Sequence, residues 1–320
     1  MSNLVERKSL SVDLIIPLYN DAGRVQYFIN EITRVIRLMP KEVEIKVIFV
    51  NDGSRDNPKE AITKSKFNYK IELIQLSRNF GKEAALTAGI TSSFGDACIF
   101  LDVDLQDPAD LIPKLVDSWL SENVDVVLAI RNPSTGEQGF RRRVSRTYLK
   151  FLKKISGIDI HPGAGETRLI DKKVVATLKE FQESQRFMRG LMSWVGYDTS
   201  FVYFDRRSSA EKSRFGYRKL IRLALDGIFS FSLTPLRFVT FMGFLTLILS
   251  LLLSAFIVYF RLSGNIVLPG FSSTMLVILL TSSIQVLSLG LIGEYLGRTL
   301  IESKRRPVFI VMDRRVWEQN

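Results

Sequence analysis

The stretch A-C-I-F-L-D-V-D-L-Q-D, Ala97 to Asp107, runs from an apolar segment into a row of carboxylates. Cys98 to Leu101 is too short for a helix and apolar throughout, which predicts a buried strand. Alternate residues of an extended chain point to one side. Asp102 and Asp104 are therefore expected to present two carboxylates together at the carboxyl end of that strand. Like charges this close repel unless a cation lies between them. Oxygen ligands select Mg²⁺ or Mn²⁺, and such ions commonly complete their shells with phosphate oxygens. The residues alone leave two other readings open, a helix cap ahead of Pro108 and a solvated loop.

Outward from this stretch, Val12–Leu18, Ile45–Val50, Ile71–Leu76 and Val124–Ile130 read as further strands, short and rich in Val, Ile and Phe. Helical patterns lie between them, as at Lys82–Ser93 and Pro108–Leu120. This β-α-β-α order predicts an α/β fold with a mainly parallel sheet covered by helices. Ligands in such sheets bind beyond the carboxyl ends of the strands. Asp52, in V-N-D-G-S, stands at another such end.

The formal net charge of +11 calls for an acidic partner. Nucleic acid, anionic lipid and phosphorylated substrates all qualify, but two apolar segments favour the last two, and no nucleic acid is expected. The single cysteine, Cys98, reads as a buried structural thiol. The lone His161 rules out a multi-histidine metal site and most histidine triads, and beside Pro162 and Gly163 it reads as a loop residue. Neither a dinucleotide fingerprint nor a Walker phosphate loop is present.

Thr240 to Phe260 carries no charge and would reach about 31 Å as a helix, enough for a hydrocarbon core of about 30 Å. Phe271 to Gly293 is also uncharged, but rich in Ser and Thr. The two predict a hairpin of transmembrane helices joined by Arg261–Gly270. Its polar second arm and its Gly293/Gly297 spacing favour helix–helix contact and a homo-oligomer. Met1 to Ser11 has no signal-peptide pattern. Arg237 before the first span and Lys304, Arg305 and Arg306 after the second place both termini and the catalytic domain on the cytoplasmic side of the inner or plasma membrane. Two basic amphipathic segments, Phe140–Ile155 and Tyr217–Phe231, have the pattern of helices lying among anionic headgroups. For the first, a solvated face packed on the domain fits equally. The expected layout is a catalytic domain over 1–215, a juxtamembrane amphipathic helix over 216–236, two transmembrane helices within 237–297 and a basic cytoplasmic tail over 298–320.

These motifs resemble those of family 2 glycosyltransferases of the polyprenyl-phosphate class, near dolichol-phosphate mannose synthases and closest to bacterial bactoprenol glucosyltransferases. The matching stretches are I-I-P-L-Y-N (Ile15–Asn20), V-N-D-G-S (Val50–Ser54), S-R-N-F-G-K-E (Ser77–Glu83), D-V-D-L-Q-D-P (Asp102–Pro108), F-M-R-G-L (Phe187–Leu191), F-S-F-S-L-T-P-L (Phe229–Leu236) and G-E-Y-L-G-R (Gly293–Arg298). They run in order along nearly the whole chain. The resemblance implies a GT-A fold, a Rossmann-like sheet with a D-x-D metal site. It implies that Pro17, Tyr19, Asn20 and Asp52 hold the nucleotide, that Lys82 and Gln106 line the donor site, and that Asp102 and Asp104 handle sugar, Mg²⁺ or Mn²⁺, and diphosphate. Glu166, in G-E-T-R-L, replaces an Asp of the family pattern near the acceptor, and Ser213-Arg214 replaces a Thr-Lys pair. Arg168, Arg206, Arg207 and Arg214 are then expected to receive the acceptor phosphate. The implied reaction is inverting transfer of a hexose, with UDP-glucose as the best match, onto undecaprenyl phosphate, making a lipid-linked sugar for O-antigen or other surface-glycan modification. A processive polysaccharide synthase is a rival, but it normally carries Q-x-x-R-W, absent here. A non-catalytic protein that binds nucleotide sugar or lipid is another, opposed by the intact carboxylates.

Overall fold

The computed structural model describes residues 9–132, 163–183, 186–205, 234–263 and 270–318, with isolated positions between 147 and 161. Its strands are β1 (Leu10–Leu18), β2 (Val43–Asn51), β3 (Lys70–Leu76), β4 (Ala97–Phe100), β5 (Val126–Arg131), β6 (Ala164–Asp171), β7 (Thr199–Phe204) and β8 (Val311–Trp317). The helices are α1 (Ala22–Ile36), α2 (Pro58–Lys64), α3 (Lys82–Ser92), α4 (Leu111–Glu122), α5 (Lys172–Glu180), α6 (Met188–Trp194), α7 (Thr234–Leu262) and α8 (Phe271–Ser303). All eight strands join one sheet in the order β7-β5-β6-β4-β1-β2-β3-β8.

The centre of the sheet is parallel, as expected: β1 pairs with β2 and β4, and β2 with β3. The whole sheet, however, is mixed rather than mainly parallel. Strand β6 inserts antiparallel between β4 and β5, and β8 adds antiparallel to β3. Central β1 is buried on both faces, with Val12, Leu14, Ile15 and Ile16 fully enclosed, which accounts for its largely apolar sequence. One carboxylate interrupts it. Asp13 accepts hydrogen bonds from the Ser93 hydroxyl (2.8 Å) and the backbone amides of Phe94 (2.9 Å) and Gly95 (3.0 Å), closing the loop between α3 and β4.

Helix α1 turns Val25, Phe28, Ile29, Ile32 and Val35 inward, one stripe at helical spacing. Helix α3 instead packs through small residues, Ala84, Ala85, Ala88 and Gly89. A Cβ on Gly89 would lie 2.3 Å from Ile15 Cγ2, so only glycine lets this helix lie so close to β1. That approach sets the position of Lys82 at the start of α3.

Strand β8 corrects the expectation of a basic tail over 298–320. Charged side chains hide it in the sequence, yet those charges have partners. Buried Glu72 on β3 receives Lys46 at 2.6 Å and Arg314 at 3.5 Å. Arg314 also donates to Ser92 at 3.0 Å, and Lys70 pairs with Glu318. Trp317 packs on the main core, and Phe309 and Val311 on a second cluster with Val50 and Ile74.

The chain divides into two units, Met1–Leu220 with Pro307–Asn320, and Ile221–Arg306. Within the second, α7 and α8 contact each other. Among the described residues one segment, Thr234–Leu253, is long and apolar enough to cross a membrane by length and composition. The expected second span falls on α8, where Ser282, Ser283, Gln285 and Glu294 dilute the apolar character. The amphipathic segment Tyr217–Phe231 lies outside the described residues, and Phe140–Ile155 lies almost wholly outside them.

Candidate active site

A cavity of about 290 Å³ opens at the carboxyl ends of β1, β2 and β4. Pro17, Tyr19, Asp52, Lys82, Asp102 and Asp104 all line it. Six of the residues singled out in the sequence thus come together in one place. Strand β4 ends at Phe100, but in-and-out alternation continues beyond it: Leu101, Val103, Leu105 and Asp107 are buried while Asp102, Asp104 and Gln106 are partly exposed. Buried Val103 and Leu105 are the anchors that turn both carboxylates into the cavity. Gln106 contributes its backbone amide, which donates to Asp104 Oδ1 at 3.2 Å.

Asp52 is 3% exposed and has a structural task as well as a place at the cavity. Its two oxygens accept the backbone amides of Phe80 (2.7 Å) and Gly81 (2.9 Å), which fastens the β3–α3 loop. Next to it Gly53 takes a positive φ of 64°, and a Cβ there would lie 2.4 Å from the Arg78 carbonyl carbon. Asn20 does not line the cavity but braces its rim. At a positive φ of 57°, its amide donates to the Ser54 hydroxyl (3.0 Å), and its side-chain oxygen accepts from Arg55 N (2.8 Å).

Charges in and beside the cavity are strongly coupled. Lys82 Nζ lies 2.6 Å from Asp102 Oδ1. Burial pushes the Asp102 carboxyl up, and Lys82 only partly offsets it. Burial alone would lower Lys82, but the Asp102 and Glu166 carboxylates outweigh it and hold the ammonium above its usual range. Asp21, a lining residue that the sequence reading passed over, is also pushed up, first by burial and further by Asp104 and Asp56, against the pull of Arg24. Its place directly after P-L-Y-N was the available signal.

Glu166 stands on β6 within charge range of Lys82 and Asp102. Burial would raise its carboxyl, but Arg189, Lys82 and Arg168 together bring it below the usual value. The direct partner is Arg189, whose Nε and an Nη meet Glu166 Oε1 at 2.6 and 2.5 Å. The motif F-M-R-G-L contained Arg189, but nothing in the sequence assigned it a role.

Arg168, on β6, is turned inward. It is 4% exposed. Its donors go to the carbonyls of Gly165 (2.8 Å) and Glu166 (3.3 Å) and to Met192 Sδ (3.4 Å). Burial lowers its guanidinium to about 10. Beneath it, Asp107 accepts from Arg131 Nε (3.1 Å) and the Thr167 hydroxyl (2.8 Å), tying the β4–α4 loop to β5 and β6. Arg206, Arg207 and Arg214 lie outside the described residues. His161 stacks on Phe201 at 4.8 Å, away from this cluster, and Cys98 is fully buried, its thiol pushed up by that burial.

Two adjacent carboxylates in an oxygen-only setting, with a lysine beside them, fit a divalent ion and a diphosphate better than a histidine- or thiolate-bound metal. Among the described residues no three His, Cys, Asp or Glu side chains converge as a closed metal cage.

The family model for glycosyl transferase family 2 matches residues 13–178. That stretch reaches from β1 into α5, so it includes Asp52, Lys82, Asp102, Asp104 and Glu166. A glycosyltransferase of Synechocystis is 40% identical over 95% of this chain and 96% of its own length. The bactoprenol glucosyl transferase of Shigella phage SfV is 36% identical over 94% of this chain and 98% of its own. That of Shigella phage SfX is 35% identical over 96% and 100%.

Proposed function

This chain belongs to glycosyl transferase family 2, and we propose that it transfers glucose from UDP-glucose to undecaprenyl phosphate at the cytoplasmic face of a membrane. The observation that carries the proposal is the convergence of Asp52, Lys82, Asp102 and Asp104 on one cavity. Relatives named bactoprenol glucosyl transferase, which match over nearly their full lengths, support this choice of acceptor and sugar.

In this reading Pro17, Tyr19 and Asp52 bind the nucleotide, with Asn20 bracing the rim. Asp102 and Asp104 hold Mg²⁺ or Mn²⁺, which supplies positive charge to the leaving diphosphate. Lys82, now on Asp102, is placed to meet the same phosphates. An acceptor phosphate oxygen forms the new bond to the anomeric carbon from the face opposite the diphosphate. The bond from carbon to diphosphate oxygen breaks, and its electron pair leaves with the nucleotide. The configuration inverts. A phosphate monoester has its second pKa near ~6, so the nucleophile is already ionised at neutral pH. Glu166 then orients rather than removes a proton.

We assign residues 1–215 with the returning strand β8 to the catalytic domain, 216–236 to a juxtamembrane helix against anionic lipid, and 237–297 to two crossings. Support for an even number of crossings comes from the chain path. It leaves the sheet after β7 and completes the same sheet as β8, so both ends of the intervening segment lie on one side. Helix α7, apolar and exposed at Phe238, Phe241, Phe244 and Leu252, supplies one crossing, and α8 the return. The polar face of α8 with Gly293 and Gly297 supports packing against further copies in a homo-oligomer.

The test is transfer in detergent with purified protein, undecaprenyl phosphate, Mg²⁺ or Mn²⁺, and a panel of radiolabelled nucleotide sugars. Label moving into lipid from UDP-glucose, abolished by a chelator and by Asp104→Asn, is the expected result. Tight nucleotide binding without transfer from any donor would overturn it.

A further inference from the structure

We propose that Arg189 is a binding residue for the acceptor phosphate, held in position by its contact with Glu166. The proposal rests on the acceptor being a phosphate monoester, as argued above, and adds which described residue receives it.

In that reading the phosphate approaches a donor held beside Asp102 and Asp104, and Glu166 acts on Asp102 from β6. A dianion entering among carboxylates needs a cation beyond those committed to the donor. Among the described residues, the cations that act on Glu166 are Arg189, Lys82 and Arg168. Lys82 is engaged by Asp102 at 2.6 Å on the donor side. Arg168 is buried, and its guanidinium is spent on the Gly165 and Glu166 carbonyls and Met192 Sδ. Arg189 differs from both. Its side chain keeps 37% exposure and that of Glu166 20%, so an incoming anion can reach the pair.

The contact geometry fits this task. Both short contacts from Arg189 end on one oxygen, Glu166 Oε1. A guanidinium offers five N–H donors in a planar fork, so phosphate oxygens can be bound without breaking the pair. The pair is also well placed. Glu83, next to Lys82 at the start of α3, accepts the backbone amide of Met188 at 3.1 Å. The donor-side helix α3 and the first turn of α6 are thereby fastened together, and Arg189 projects from that turn onto β6. The glutamate that replaces a shorter side chain of the family pattern is the one that reaches it.

A purely structural Arg189 would act only through Glu166, and a double-mutant cycle separates the two roles. Arg189→Gln, Arg189→Lys, Glu166→Gln and the double variant are assayed in detergent with undecaprenyl phosphate and UDP-glucose, with UDP binding measured by calorimetry. Loss of a charge-assisted contact to phosphate is expected to raise the acceptor KM about 10- to 100-fold. That rise is expected from Arg189→Gln in both the wild-type and Glu166→Gln backgrounds, with partial rescue by Lys and UDP affinity unchanged. If Arg189→Gln has no further effect once Glu166 is Gln, or if it changes UDP affinity instead, the proposal is overturned while the transfer reaction stands. Failure of the wild-type protein to label undecaprenyl phosphate from any nucleotide sugar would overturn the reaction and this proposal together.

Discussion

Glu83 gives the chain a stability that depends on pH, and replacing it with glutamine is expected to remove that dependence. Burial, reinforced by the Glu166 charge, raises its carboxyl from 4.5 to about 7, against the pull of the Met188 amide and of Lys82 and Arg189. The folded state therefore prefers the protonated acid. Below about 4.5 both folded and unfolded chains hold the proton and Glu83 costs nothing. Between 4.5 and about 7 the unfolded chain ionises first, so stability falls as pH rises, and above about 7 the full cost is present. At ~1.4 kcal/mol per pKa unit the cost is at most about 3.5 kcal/mol, and solvent at the partly open site brings the expected value nearer ~2 kcal/mol. Glutamine keeps an oxygen for the Met188 amide and never ionises. For a domain of this size ~2 kcal/mol corresponds to roughly 4–8 °C in Tm. Thermal melts of wild-type and Glu83→Gln protein in detergent, from about pH 5 to about pH 8, span the window. The variant is expected to gain roughly 4–8 °C on the wild type across that range, and groups shared by both proteins cancel in the difference. A Tm difference that stays constant with pH would refute the reasoning.

Three further perturbations bear on the loops around the cavity and on the sheet edge. Gly53→Ala forces a Cβ to within 2.4 Å of backbone at a φ of +64°; a cost of about 1–3 kcal/mol, read as a lowered Tm with weakened UDP binding, is expected, and an unchanged melt would count against it. Asp52→Asn turns one acceptor toward a backbone N–H it can no longer satisfy, so about 2 kcal/mol and a slackened β3–α3 loop should appear as lower Tm and poorer nucleotide affinity in calorimetry. Removing residues 311–320 uncovers the β3 edge and takes Arg314 from Glu72, which keeps Lys46 at 2.6 Å; aggregation or a lower melting temperature by size exclusion and thermal scan is the expected result, and a monodisperse protein of wild-type Tm would contradict the role given to β8.

The parallel centre of the sheet was legible because burial on both faces favours short, largely apolar segments, and β1 to β4 are such segments. The cavity was legible for a related reason. Carboxylates set directly after such runs, as at Asp52, Asp102 and Asp104, can only stand at strand ends. Strand β6 was hidden because its buried positions include Thr167 and Arg168, whose polarity is satisfied by Asp107, by backbone carbonyls and by Met192. Strand β8 was hidden because its charges find partners far away in sequence, and no local pattern records that. The Glu166–Arg189 pair has the same origin: its members are 23 positions apart and meet only through the β6 and α6 packing.

Of the strands in the sheet, β8 is the last to leave the ribosome. Arg314 must find Ser92 across 222 positions, and at ~5–20 residues per second the β3 edge waits many seconds for its cover. In the two-crossing reading α7 and α8 emerge and enter the bilayer during that wait. A chain whose hairpin fails to return delivers β8 to the wrong side and cannot finish its sheet. In that reading completion of the sheet is conditional on correct insertion, a form of quality control written into the order of synthesis.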